Sequence, residues 1–367
     1  MNASIKVFSL FILLFIVFSC KKESSKTTEN TITSVEHAKG FDLVTEQNQT
    51  KIVITTPYPN SKETFSYTLG KNADIKTPIN KVVVTSTTHI PVLELLGKEH
   101  TLVGFPHTKY ISSEKTRALI DNGSVKEIGK EASLNTEILL DLHPDMVIGF
   151  SMGKTNKAFT TIEQAGIPVL INGDWLEETP LGRAEWIKVF GALYEENKKA
   201  DSIFNTIKLN YQEAIKIAQK ATTKPTILSG AIMSKDVWNL PAGESFVAQF
   251  LKDANLNYLW ADTKGKGSLS LSFESVLDKG KEADFWIAPG YFTSKEQMLQ
   301  SNQHYASFKA FKNDRIYSPA LKKGKTGGVL YFELAPTRPD LVLKDIIKIT
   351  HPELLPNYEL TFFEKMP

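Results

Sequence analysis

The stretch SLNTEILLDLHPDMVIG, residues 133 to 149, returns in diverged form as SLSFESVLDKGKEADFWIAPG at residues 270 to 290. In both copies a polar residue fit to cap a helix (Asn135, Ser272) stands two positions before a glutamate (Glu137, Glu274). Asp141 and Asp278 follow four residues past those glutamates, and Asp145-Met-Val-Ile matches Asp284-Phe-Trp-Ile after a two-residue insertion in the second copy. The spacing predicts a short capped helix and then an apolar strand. One such unit written twice predicts two similar α/β lobes.

Working outward from the first copy, Lys81-Val-Val-Val-Thr and Leu102-Val-Gly-Phe read as buried strands, with an apolar helix from Ile90 to Leu96 that stops at Gly97. A helix over 155–165 and a strand Pro168-Val-Leu-Ile171 continue an alternating series that favours a mostly parallel sheet. Around the second copy the plan repeats, with strands at Thr226-Ile-Leu-Ser, Phe285-Trp-Ile-Ala and Arg315-Ile-Tyr-Ser and a closing helix from Pro339. Between the two series lies a stretch from about 196 to 220 without Gly or Pro. Its apolar residues Ala200, Ile203, Phe204, Ile207, Tyr211, Ala214, Ile215 and Ala218 fall at three- and four-residue spacings. The expected fold is α/β, with two similar lobes of mostly parallel sheet joined by one long α-helix.

The N-terminal part reads differently. Lys6, an apolar run from Val7 to Phe18, and then Ser19-Cys20 form an export signal too short to span a membrane. Cys20 is the sole cysteine, so an internal disulfide is excluded, and Val17-Phe-Ser-Cys20 resembles a lipobox, which makes Cys20 the expected lipidation site. Residues 21 to 37 are polar without an apolar period, as a flexible tether is. Three alternating runs beginning at Gly40, Lys51 and Thr64 predict a small antiparallel β unit, read as an entry ornament. The chain is thus expected to comprise a signal peptide (1–19), tether (20–39), β unit (40–77), lobe one (78–195), interlobe helix (196–221) and lobe two (222–367). With 41% hydrophobic residues it can fill both cores, and its formal charge of +2, or +1 without the leader and its Lys6, lacks the basic field of a nucleic-acid binder.

Several further stretches carry a more specific likeness. They are Val82-Val-Val-Thr-Ser-Thr-Thr-His-Ile, Leu93-Glu-Leu-Leu-Gly, Leu102-Val-Gly, Glu137 to Gly149, Gly182 to Leu193, Phe308 to Tyr317, and Arg338-Pro-Asp-Leu-Val-Leu-Lys-Asp. In their order and spacing the chain resembles, over roughly residues 78 to 355, the substrate-binding proteins of bacterial ABC importers for iron complexes. The resemblance implies the helical-backbone periplasmic binding protein fold. It also implies no catalytic activity, no intrinsic cofactor, and a cargo that is an iron–siderophore-like complex or, alternatively, haem or cobalamin. It implies as partner a permease dimer with its ATPase subunits, onto whose arginines Glu137 and Glu274 would dock. A carboxylate at an exposed helix N-terminus suits an arginine fork, and equally suits the helix dipole alone. The expected place is the periplasm of a Gram-negative-type bacterium, with the protein held to the membrane through Cys20.

The cargo is expected in the cleft between the lobes, against the loops that follow their strands. Cleft candidates are His89, His107, Tyr110, Ser151, Trp175, Arg183, Trp238, Tyr291 and Arg338, with Lys109 as a further counter-charge and Phe292 as a further flat face. Two rival classes remain. Gly149-Phe-Ser151-Met-Gly153 after a strand spells a nucleophile elbow, so a serine hydrolase built on Ser151 is a remote alternative, though no HGGG-type oxyanion stretch precedes it. A free zinc or manganese binder would use His89 and His107, but the seven histidines include neither HxH nor HExxH, so no metal site is expected. The Lys322-Lys-Gly-Lys325 run reads as a solvated loop that at most attracts an anionic ligand.

Overall fold

The computed structural model describes residues 34–46, 49–130, 133–154, 156–234 and 236–367. The leader, Cys20 and most of the tether lie outside the described residues. Both copies of the repeat fold as their spacing predicts. Asn135 accepts from the Ile138 amide and caps the helix Thr136–Asp141, which leads into the strand Met146–Gly149. Ser272 accepts from the Ser275 amide and caps Phe273–Gly280, which leads into Phe285–Ile287.

The aspartates that end each copy perform the same structural task. Asp145 Oδ2 accepts the amides of Asn80 and Lys81 at 2.6 and 2.9 Å, and Asp284 Oδ2 accepts the Thr226 amide at 2.9 Å and its hydroxyl at 2.8 Å. Each carboxylate thereby ties the foot of its own strand to the foot of its neighbour, satisfying amides that precede the ladder. Partial burial works against the Asp284 charge. Lys309 and Thr226 more than offset it and draw the pKa down to about 2.

Lobe one holds a five-stranded parallel sheet in the order Val169–Ile171, Met146–Gly149, Val82–Val84, Leu102–Phe105, Lys126–Glu127. Lobe two holds a second five-stranded sheet, Asn257–Tyr258, Thr226–Ser229, Phe285–Ile287, Ile316–Ser318, Glu364–Lys365, of which only the last strand is antiparallel. The central strands are buried along their whole length, as expected where helices cover both faces. The linking helix Asn197–Ala218 buries Ala200, Phe204, Ile207, Tyr211, Ala214 and Ala218. Its 22 residues span about 33 Å. Its N-terminal half packs in the core of lobe one and its C-terminal half in that of lobe two.

Two features differ from expectation. The strands Phe41–Glu46, Gln49–Ile54 and Phe65–Leu69 do form an antiparallel sheet, but it is no ornament, since Phe41, Leu43, Ile52 and Ile54 complete the core of lobe one. The chain entering it is stapled by two buried carboxylates: Glu185 accepts the amides of Glu36, His37 and Ala38 while paired with Lys188, and Glu177 accepts those of Lys39 and Gly40. The second difference is a three-stranded antiparallel sheet in lobe two, Ala231–Ser234, Val237–Pro241 and Ser268–Ser272, which turns the Trp238 side chain into the core.

Candidate functional site

The carboxyl ends of the central strands of both sheets face one cleft of about 620 Å³, the position where open α/β sheets bind ligands. Lobe one contributes Thr85 to Thr87 after its first strand, Phe105, Pro106, His107 and Tyr110 after its second, and Phe150 after Met146–Gly149. Lobe two contributes Tyr291, Ala320, Lys323 and the segment Gly327 to Val329 with Phe332. Tyr110 is 50% exposed and Tyr291 66%, so each presents a ring that its own lobe leaves uncovered. His107 takes a left-handed backbone, φ 50°, with its amide on the Gly129 carbonyl and its ring 5.4 Å from that of Tyr110. Lys109 lies 5.0 Å over the same tyrosine. None of the lining residues is acidic.

The lobes also touch directly, through a strap running from Lys322 to Glu333. A Cβ on Gly328 would stand 2.2 Å from the Tyr110 carbonyl oxygen, and one on Gly324 2.6 Å from the Ser112 Cα. Only glycine permits that approach. Thr326 Oγ1 donates to the Lys109 carbonyl at 2.7 Å, and the Glu333 carboxylate accepts the amides of Ser112 and Ser113 at 2.5 and 2.9 Å. Those amides start the helix Glu114–Asp121, where an anion is favoured. Glu94 faces the same turn, accepting from the hydroxyls of Ser113 and Thr116. Burial, reinforced by the Glu94 charge and opposed by the two amides, pushes the Glu333 pKa up to about 7. Lys322 to Lys325 is therefore not simply a solvated loop, because Gly324 is pressed onto lobe one.

His107, Tyr110 and Tyr291 are brought to the cleft; the remaining candidates are not. His89 is 1% exposed, packed 5.6 Å from the Phe190 ring in the core, with both ring nitrogens unbonded and its pKa lowered by burial. It does not converge with His107, and the described residues gather no cluster of three metal-ligating side chains. Trp238 is 0% exposed, stacked 5.2 Å from Trp286, and donates to the Ser229 carbonyl. Arg338 grips Asp340 with both branches of its fork at 2.8 Å. Ser151 donates to the Gly153 carbonyl of its own loop and lines a separate cavity between lobe one and the β unit. Trp175 sits behind the wall, edge-on to Phe150 at 6.3 Å, and Arg183 lines a different cavity. Sequence reasoning missed Phe105, Phe150, Phe332 and the strap; the close set Gly324, Gly327, Gly328 was the available signal. Glu137 and Glu274 lie far along their repeats from the cleft lining, each exposed in the first turn of its helix.

The family model described as periplasmic binding protein matches residues 82–319. An uncharacterised lipoprotein of Methanocaldococcus jannaschii is 25% identical over 307 residues, which cover 81% of this chain and 71% of the relative. Among solved structures, a possible iron-binding (periplasmic solute-binding) protein from Staphylococcus epidermidis superimposes with a TM-score of 0.59 at 18% identity, covering 75% of this chain and 100% of the other. The periplasmic heme-binding protein of Vibrio cholerae does so with a TM-score of 0.56 at 17% identity, covering 72% and 99%. Such proteins bind small solutes, work with ABC transporter permeases and are not enzymes, so the nucleophile-elbow reading of Ser151 falls. Two five-stranded, mostly parallel sheets, one long connecting helix, a shared cleft at the strand ends and a family match over most of the body lead to one assignment: the chain belongs to the periplasmic binding protein family.

Proposed function

We propose that this chain is the substrate-binding component of an ABC importer, capturing an anionic iron chelate of the siderophore kind in the interlobe cleft. It hands the chelate to a membrane permease dimer docked on Glu137 and Glu274, and lipidation of Cys20 keeps it at the membrane. One observation carries the cargo reading: two largely exposed tyrosines, one from each lobe, line a cleft whose described lining includes Lys323 and no carboxylate. Flat rings on both sides suit a flat or aromatic ligand, and a cation without an acid beside it suits a negatively charged one.

Tyr110→Ala and Tyr291→Ala are each expected to weaken chelate binding roughly fivefold to a hundredfold, the equivalent of about 1–3 kcal/mol of aromatic burial. Because both rings are largely exposed, Tm should stay within a degree or two. Unchanged affinity in both variants would remove the tyrosines from the site. Haem is the second reading, favoured by the same two residues, whose phenol oxygens are suitable ligands for ferric iron. In that case Tyr→Phe at either position shifts the absorption spectrum of bound haemin, whereas a siderophore complex held by stacking is indifferent to the loss of a hydroxyl.

A further inference from the structure

A second cavity, of about 180 Å³, adjoins the cleft and shares Phe332 with it. Phe246, Phe250, Tyr331 and three prolines make up most of its wall, and Arg183 is its only charged residue. A guanidinium carries five N–H groups. Here Nε donates to the Glu177 carbonyl at 3.4 Å and Nη2 to the Trp175 carbonyl at 2.6 Å, which leaves three with no acceptor among the described residues. Both acceptors are neutral. Asp174, the carboxylate whose charge bears most on Arg183, accepts instead from Thr88 Oγ1 at 3.2 Å and forms no ion pair with it.

The guanidinium also stacks on Phe246, its Cζ 3.6 Å from the ring centroid. Stacking occupies a face and leaves the in-plane edge, where N–H groups point, for a planar acceptor. A partly buried cation short of an anion is costly, and burial already lowers the Arg183 pKa. The wall thus offers an aromatic surface for hydrocarbon beside an unfilled guanidinium edge.

We infer that this chamber is a subsite for an apolar carboxylate, an aryl or short alkyl acid, bound by the free edge of Arg183 with its hydrocarbon against Phe246, Phe250 and Phe332. The acid is either a free small molecule or a pendant arm of the ligand in the cleft; the second case rests on the proposed cargo.

The test is fluorine NMR of the purified full chain with 4-fluorobenzoate, and with 4-fluorobenzyl alcohol as its neutral counterpart. The benzoate signal is expected to broaden and shift saturably, the alcohol signal not. Arg183→Met should weaken benzoate binding at least tenfold. Ala335→Leu, which fills the chamber and leaves Arg183 in place, should do the same and carries the test if the arginine variant does not fold. Failure of the wild type to saturate, equal binding of the alcohol, or undiminished binding by Ala335→Leu overturns the inference. Competition between 4-fluorobenzoate and a bound chelate identifies a pendant arm, and simultaneous binding identifies a free acid. Silence from the benzoate with chelate binding intact removes the chamber alone; benzoate binding with no chelate bound removes the cargo reading alone.

Discussion

Replacing Glu137 and Glu274 together with alanine is expected to abolish uptake of the cargo by cells carrying the cognate permease, while the purified protein binds its ligand with unchanged affinity. Each carboxylate stands in the first turn of a helix capped by a side chain of the repeat, so its position is rigid, and each is exposed. An arginine fork can take such a group in bidentate fashion. Truncating one partner of a desolvated charge pair costs about 2–5 kcal/mol, so losing two such pairs lowers uptake on the order of a hundredfold or more. If the glutamates merely opposed their helix dipoles, the double variant would lose only about 0.3–1 kcal/mol of stability per site and uptake would persist. Asp141 and Asp278 provide the control, being exposed on the same helices at their opposite ends. Their replacement should leave uptake intact. Ligand affinity that falls in the glutamate double variant would instead assign those residues to the cleft.

Gly328→Val is expected to have a large effect on the contact between the lobes. The new Cβ would meet the Tyr110 carbonyl, which is backbone and cannot rotate away, so the strap must lift and carry Glu333 off the amides of Ser112 and Ser113. Leaving buried amides without an acceptor costs about 1–3 kcal/mol each. A lower Tm and strongly weakened ligand binding follow together, because Tyr110, which lines the cleft, sits on the segment that the strap clamps. The same contact predicts a pH dependence. With its pKa raised from an ordinary 4.5 to about 7, Glu333 takes up a proton on folding as pH passes between those values. Its stabilising contribution is therefore fully present below about 4.5 and is lost as pH rises through 7. The pKa difference corresponds to about 3 kcal/mol. Glu333→Gln, which mimics the protonated acid, should match the wild type near pH 4.5 and exceed it in Tm near pH 8.5. Parallel Tm curves for the two proteins would refute the latch.

The repeat, its caps and the long helix were legible because each rests on local periodicity or on a side chain bonding its own turn. Asn135 and Ser272 needed no distant partner to be read as caps. The cleft was legible as a region, since loops after parallel strands must face it, but not residue by residue. Trp238 and Tyr291 both come after a parallel strand of lobe two, yet Trp238 lies within a further strand, Val237–Pro241, whose pairing with Ser268–Ser272 turns it inward, and nothing local to Trp238 announces that pairing. His89 opens the helix His89–Leu96, and its side chain turns into the core rather than along the loop. The strap was illegible for a related reason: Gly328 is required by the Tyr110 carbonyl, more than two hundred residues earlier in the chain. The alternation of the entry strands shows in their own residues but their place in the core does not, because the carboxylates that staple the chain entering them, Glu177 and Glu185, lie in the distant segment just before the interlobe helix.

The ligand expected in the interlobe cleft is a metal chelate and not a bare ion. Trp175, packed against the cleft residue Phe150, provides an intrinsic reporter. Titrating the protein by tryptophan fluorescence against ferric siderophores, haemin, cobalamin, and free zinc and manganese tests the claim most directly. Saturable one-to-one quenching at submicromolar concentration by one chelate, with no response to either free ion, is expected. Saturation by zinc or manganese alone, or silence from every chelate, would contradict it.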